Sequence, residues 1–140
     1  MRIVVSACLL GENCKYNGGD NRNECVLRFV AGHEIIPVCP EMLGGLPCPR
    51  KPVEWVGDRV LTKDGDDCTV NFRLGVQRAM EMIADKRVDM AILQSRSPTC
   101  GVKQIYDGTF SGVRIDGMGM LARALKGRGI PLMDAEDVPE

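Results

Sequence analysis

A three-layer α/β fold is predicted by two patterns along the chain: short apolar runs rich in β-branched residues, and amphipathic stretches of helical period between them. The runs are Ile3-Val4-Val5, Ile35-Ile36, Met90-Ala91-Ile92-Leu93 and Ile130-Pro131-Leu132-Met133, each read as a buried strand of a parallel sheet. The helical stretches are residues 22–31, residues 69–84 with Phe72, Val76, Met80 and Ile83 on one face, and residues 118–126 with Met120, Leu121, Ala124 and Leu125 inward. Such alternation implies a Rossmann-like, doubly wound parallel sheet of about four strands, with right-handed crossovers and flanking helices. Residues Trp55-Val56-Gly57-Asp58-Arg59-Val60 add a small inserted hairpin turning at Gly57-Asp58.

The 140 residues, 44% of them hydrophobic, are expected to form a single domain, 1–140, that needs no disulfides to fold. Lys and Arg number 18 against 19 Asp and Glu, a formal net charge of -1. With no run of five like charges, this argues against a nucleic-acid groove or an anionic membrane as a constitutive partner. No apolar run approaches the ~18 residues of a membrane span. The segment from Met1 to Cys8 superficially resembles a lipoprotein cleavage box, but too few apolar residues precede the cysteine for a signal sequence. A cytoplasmic location is therefore expected, where thiols stay reduced. Seven cysteines, an odd number, cannot all pair within one chain in any case.

The segments following the first three predicted strands are long and rich in Gly, Pro and Cys: residues 8–20, 38–52 and 94–112. Loops of this length in a small domain usually carry function. In an open parallel sheet they leave the same carboxyl edge, where such folds bind ligands. Cys8 lies just past the first strand, Cys39 just past the second and Cys100 after the third, so three thiols should converge. Thiolates on short Gly/Pro-braced loops ligate soft metals. The single His33, expected in the turn before the second strand, argues against imidazole-based zinc catalysis. An iron-sulfur cluster and a Cys-rich zinc site remain open, because the spacing matches neither zinc-ribbon CxxC pairs nor the ferredoxin CxxCxxC run.

Free cysteine also behaves as a small core hydrophobe. Cys25, beside Val26 and Phe29, is read that way, and Cys48 and Cys68 are read as nonfunctional. Cys14 is left as a fourth ligand, a nearby thiol or packing. The segment Gly117-Met118-Gly119-Met120-Leu121-Ala122 imitates a dinucleotide fingerprint, but it is not in the first βα turn and is read as a loop leading into a helix. Tyr106-Asp107-Gly108-Thr109 has turn chemistry and is a candidate pocket wall. Arg50 and Lys103 are candidate substrate or phosphate contacts, though such residues more often fix loops.

Several motifs in register then add a resemblance that covers nearly the whole chain. They are Ser6-Ala7-Cys8-Leu9-Leu10-Gly11 with Cys14-Lys15-Tyr16-Asn17-Gly18, Pro37-Val38-Cys39-Pro40-Glu41 with Gly44-Gly45-Leu46 and Pro49-Arg50, and Ser97-Pro98-Thr99-Cys100-Gly101 with Ile105-Tyr106-Asp107-Gly108-Thr109-Phe110. Together they resemble the thiouracil desulfidase-like family of bacteria and archaea, long known only as a domain of unknown function. The resemblance implies a 4Fe-4S cluster held by Cys8, Cys39 and Cys100, one iron lacking a protein ligand, and a catalytic carboxylate and hydroxyl at Glu41 and Ser97. Cys48 falls where another residue is expected, and Thr99 stands where serine is common. Longer relatives carry an added C-terminal domain; this chain ends soon after its last predicted strand, which favours a thiobase or thionucleotide over a large RNA as substrate.

The chemistry of these residue types agrees with that implication. An open iron suits a polarisable thiocarbonyl sulfur. Water positioned by Ser97 and deprotonated by Glu41 would attack the thiocarbonyl carbon and release sulfide without net electron transfer. Two readings compete with this nonredox desulfuration. The same cysteines would serve a metal- or cluster-binding scaffold or sensor without catalysis. A thiol redox protein using Cys8 and Cys14 ranks below both, for want of a CxxC motif.

Overall fold

The computed structural model describes residues 1–139. In chain order it comprises β1 (Arg2–Ser6), a 3-10 turn (Ala7–Leu10), α1 (Glu24–Val30), β2 (Glu34–Val38), α2 (Pro40–Leu43), β3 (Val53–Val56), β4 (Arg59–Thr62), α3 (Thr69–Met82), β5 (Met90–Leu93), β6 (Gln104–Tyr106), β7 (Arg114–Asp116), α4 (Met120–Gly127), β8 (Leu132–Asp134) and a closing 3-10 turn (Ala135–Asp137). Four strands form one sheet in the order β2-β1-β5-β8, every neighbouring pair parallel. This is the three-layer α/β arrangement expected from the sequence. No helix among the described residues is long and apolar enough to cross a membrane.

The period of two along the strands builds both faces of the core. In β1, Ile3 and Val5 point to the layer holding Val26 and Val30 of α1, whereas Val4 points to the layer of α3 and α4. In β5, Ile92 joins the first face and Ala91 and Leu93 the second. The three β1 side chains are fully buried, each contributing about 1.5–3 kcal/mol of transfer free energy. Asn23 caps α1 by accepting the Val26 amide at 3.1 Å, so this helix starts later than the apolar pattern suggests.

The last strand begins two residues later than expected. Gly129, with φ at +82°, ends α4 in a left-handed turn. The Ile130 and Gly129 amides then reach back to the Leu125 and Lys126 carbonyls, a Schellman closure. Ile130 is therefore the buried contact that closes the helix, and pairing with β5 starts at Leu132. The inserted hairpin is found as β3 and β4, with Val56 opposite Arg59 across Gly57-Asp58. Its two-residue turn needs the positive φ of +62° that Gly57 supplies at the first position. A second hairpin, β6 with β7, has no counterpart among the predicted elements. Its strands have three residues each, and β7 is exposed throughout, so no alternation marks them.

Strand order reverses between β1 and β5, the switch point at which such sheets leave a crevice. The 3-10 turn after β1 and the segment after β5 flank that crevice, and α2 borders it from β2. The α2 backbone lies against α3. A β-carbon on Gly75 would overlap the Pro40 carbonyl, and one on Gly44 would overlap the Asn71 carbonyl. The Asn71 side chain adds a 3.0 Å bond from its amide to the Gly44 carbonyl. Replacing Gly75→Ala should therefore displace α2 and cost about 3 kcal/mol. Thermal denaturation should show a Tm lower by about 10 °C for a chain of this size, whereas Gly127→Ala, where the added carbon meets open space on a helical backbone, should lose much less.

Candidate active site

The 3-10 turn places Cys8 directly beyond the carboxyl end of β1. Its carbonyl accepts the amides of Gly11 at 3.2 Å and Asn21 at 2.9 Å, folding the long first loop back over the sheet edge. Cys39 is the residue between β2 and α2, where Pro40 fits the first helical position because no amide partner is available there. Cys100 ends a tight turn in which Ser97 Oγ accepts the amides of Thr99 at 3.2 Å and Cys100 at 3.1 Å. All three thiols thus reach the same edge, as the spacing of the strands predicted.

The glycine-rich approach to α4 is what seats the Cys100 turn. The amides of Gly119, Met120 and Leu121 donate to the carbonyls of Gly101, Pro98 and Thr99 at 2.8, 3.1 and 2.8 Å. Donors that a helix N-terminus leaves unpaired are satisfied by this turn rather than by a phosphate. A β-carbon on Gly119 would collide with the Thr99 carbonyl and the Cys100 amide. Of the dinucleotide-like glycines, Gly119 is therefore a backbone contact, and Gly117 lies against the Ile105 side chain.

One cavity of about 980 Å³ is lined by Cys8, Cys39, Cys100, Glu41 and Ser97, among other residues. Glu41 sits in the first turn of α2, its side chain 16% exposed, and forms an ion pair from Oε2 with Nη2 of Arg50, whose side chain is 7% exposed. Arg50 Nη2 also donates to the Cys14 carbonyl at 2.9 Å, and Nη1 to the Pro47 carbonyl at 3.3 Å. On the other side Thr99 Oγ1 lies 3.4 Å from Glu41 Oε1 and 3.0 Å from Ser97 Oγ.

The thiols occupy unlike environments. Cys14 is buried beside Cys8 and Cys39, with Cys39 Sγ 3.9 Å from the Cys14 carbonyl, and its single thiol hydrogen can go to either sulfur. That role drives its own pKa up and lowers both partners. Cys39 falls to about 7, through the Cys14 thiol first and then, against the opposing effect of burial, the Met42 amide. Cys8 is lowered by Cys14 first, with Asn21 also donating to it. Cys100 is pushed up to about 12 by burial, against weaker opposing contacts from Ser6 and Thr99. Ser6, itself buried, accepts the Gln94 amide at 3.0 Å and so joins β1 to the end of β5 beneath this thiol.

Among the described residues no three His, Cys, Asp or Glu side chains gather closely enough to hold a single metal ion. A mononuclear site needs sulfurs about 2.3 Å from one point. A donor set spread around a cavity instead fits a larger group, such as an iron-sulfur cluster whose thiolates bind different irons. His33 stands at the opposite edge of the sheet, 2.9 Å from the amino terminus.

Several residues differ from their expected roles. Arg50 holds Glu41 rather than standing free for a ligand. Lys103 pairs with Asp137 at 3.1 Å, away from the cavity. Cys25 is half-buried, packing on the α1 face with the Arg28 guanidinium 3.4 Å away, so it is a margin residue rather than full core. Cys48 ties two loops through the Asn13 and Lys15 carbonyls at 3.1 and 3.3 Å. Cys68 occupies the cap of α3 and also lines the cavity. Tyr106 lines it as well, while Asp107 Oδ1 accepts the Thr109 amide at 2.9 Å and fixes the turn. The roles of Arg50, Thr99, Ser6 and Gly119 are not marked in the sequence. The Arg50 signal is present as Pro49-Arg50, but its partner lies nine residues away through a loop.

Comparison with known proteins shows the family and the fold. The family model for 2-thiouracil desulfurase matches residues 3–137. An uncharacterised protein of Bacillus subtilis strain 168, YbbK, is 33% identical over 97% of both chains. A solved structure described as the [4Fe-4S]-dependent thiouracil desulfidase TudS superposes with a TM-score of 0.91 at 35% identity, covering 99% of this chain and 93% of that one.

The thiol environments make a measurable prediction. Because the thiolate is the nucleophile, iodoacetamide should modify Cys39 of the metal-free protein at a rate that rises with pH, half-maximal near 7. Buried Cys100, held near 12, should stay unmodified until denaturant is added. Cys14→Ala removes a donor to the Cys39 thiolate and should move the Cys39 midpoint upward. Peptide mass spectrometry after timed labelling reads all three outcomes.

Proposed function

As the chain belongs to the 2-thiouracil desulfurase family, we propose that it is a desulfidase replacing the sulfur of a thiolated pyrimidine base or nucleotide by oxygen, with a 4Fe-4S cluster held by Cys8, Cys39 and Cys100. The observation that carries this reading is that three thiols from three loops, a paired carboxylate and a backbone-bound serine line the same cavity. The described dependence of the similar TudS on a 4Fe-4S cluster supports it.

When bound, a cluster with three protein thiolates supplies an iron free to take a thiocarbonyl sulfur in preference to a carbonyl oxygen. Everything else is work for the chain's own side chains. Ser97, anchored by two amides, walls the place of a water beside the thiocarbonyl carbon. Glu41 accepts a proton from that water. Arg50 keeps Oε2 engaged, so Oε1 is the oxygen left for proton transfer. Phe110 and Tyr16 on the cavity wall offer ring surfaces to a pyrimidine and limit the access of other water. The balance is simple: a C=S bond breaks, a C=O bond forms, water provides the oxygen and two protons, and the sulfur leaves as hydrogen sulfide. No oxidant or reductant enters.

Anaerobically reconstituted protein should contain about four iron and four acid-labile sulfide per chain, and each of Cys8→Ala, Cys39→Ala and Cys100→Ala should lose them. It should release sulfide from 2-thiouracil or 4-thiouracil over many turnovers. Glu41→Gln should retain the iron while losing turnover by about 10²–10⁴-fold. Iron bound without sulfide release from either base would leave a scaffold or sensor, and full turnover by iron-free Cys100→Ala would end the cluster reading.

A further inference from the structure

We propose that Thr99 is a positioning residue that joins Ser97 and Glu41 into one hydrogen-bonded line, an inference that rests on the desulfidase reading for its catalytic meaning. The direction of the line follows from donor counting. Ser97 Oγ accepts the Thr99 and Cys100 amides at 3.2 and 3.1 Å. Both of its lone pairs are then engaged, and its own hydrogen is free to donate. Its side-chain partner is Thr99 Oγ1 at 3.0 Å. An ionised Glu41 can only accept, so Thr99 must donate to Oε1, 3.4 Å away. Ser97 therefore donates to Thr99 and Thr99 to Glu41. The second bond is long, as such bonds often are before substrate binds.

Both ends of the line are fixed. Arg50 grips the far oxygen of Glu41, and the Thr99 carbonyl is held by the Leu121 amide at 2.8 Å. The Thr99 side chain is buried, 2% exposed, and cannot exchange its partners for bulk water. Without its hydroxyl, the Ser97 hydrogen and Glu41 Oε1 lose their common partner, and each is free to turn away from the attacking water. The methyl group of Thr99 has no part in this. Serine at this place would keep the hydroxyl and so preserve the line. Thr99 also stands beside the Cys100 thiol, so a role in supporting that ligand is the alternative the test must separate.

The test compares reconstituted wild type, Thr99→Val, Thr99→Ser and Glu41→Gln for iron content, Tm, and kcat and KM of sulfide release from 2-thiouracil and 4-thiouracil, with crystal structures of the wild type and the valine variant. The expected result is that Thr99→Val binds iron as the wild type does, keeps its KM, and loses about 10- to 100-fold in kcat. Thr99→Ser should return to within about threefold of wild type. In the crystal structure Ser97 Oγ and Glu41 Oε1 should point apart. Wild-type kcat in Thr99→Val would overturn the proposal, as would a fall that serine does not repair. Loss of iron in step with kcat would assign Thr99 to Cys100 instead. Absence of sulfide release from the wild type would refute the desulfidase reading by itself; the coupling would then stand on displaced Ser97 and Glu41 side chains in Thr99→Val and fall if they are unmoved.

Discussion

At Gly75 and Gly119 backbone lies on backbone with no room for a β-carbon, and the position of both halves of the site follows from these two contacts. Gly75 lets α3 press against the first turn of α2, which fixes Glu41 relative to the sheet. Gly119 lets the start of α4 press against Thr99 and Cys100, which fixes Ser97 as well through its amide bonds. The two helices meet the same apolar face of the sheet, formed by Val4, Ala91 and Leu93. Close-packed interiors transmit displacements rather than absorb them. A shift in either helix would therefore separate acid from hydroxyl even though neither glycine touches the cavity.

The second constraint is charge. Three prospective thiolates and a carboxylate share a cavity whose deepest cation is Arg50. Burying an unpaired charge is expensive, and the site meets that cost unevenly. Cys8 and Cys39 are eased towards the thiolate by the Cys14 thiol, which stays protonated and can donate to either sulfur. Cys100 has no such donor of comparable strength and remains a neutral thiol near 12. A metal binding there must expel a proton that the protein alone retains. In the proposed cluster site, ligation at this position would thus depend most on the metal, while the other two thiols are partly prepared for it.

The fold was legible because its signals are local and periodic. β5 follows the Met90-Ala91-Ile92-Leu93 run residue for residue, and the β3-β4 turn sits on Gly57-Asp58. Carboxyl-edge convergence of Cys8, Cys39 and Cys100 followed from strand order alone, before any side chain was placed. What escaped were features made by distant pairings. Ile130 reads as strand by composition, yet a left-handed Gly129 turns it back onto α4. Arg50 reads equally as a ligand contact or a loop-fixing residue, and only the fold brings it onto Glu41. β6 and β7 are too short and too exposed to carry a pattern. Cys14 could not be assigned from spacing because its role as donor depends on two sulfurs brought from different loops.

The floor and the walls of the cavity are built by different means, and this separates cofactor binding from substrate recognition. The floor belongs to the sheet edge, where Ser6 ends β1, Cys8 and Cys39 follow β1 and β2, and Cys100 sits in the turn seated against α4. The walls belong to the two hairpins. Trp55 Nε1 donates to the Pro98 carbonyl at 2.9 Å and braces the Ser97 turn from above. Glu54 Oε1 accepts the Gly108 and Phe110 amides at 2.9 and 3.3 Å. Those bonds stabilise Phe110 at a φ of +56°, a conformation that costs a bulky residue on the order of 1–3 kcal/mol. A strained aromatic held by a carboxylate is costly as packing alone, but it aims a ring at the cavity that a relaxed turn would direct elsewhere. Insertions on a shared type of sheet edge are where substrate preference can change without loss of the metal site. For the proposed desulfidase, the choice of base would accordingly rest with Phe110 and its supports, Glu54 and Gly108, more than with the cysteines beneath them.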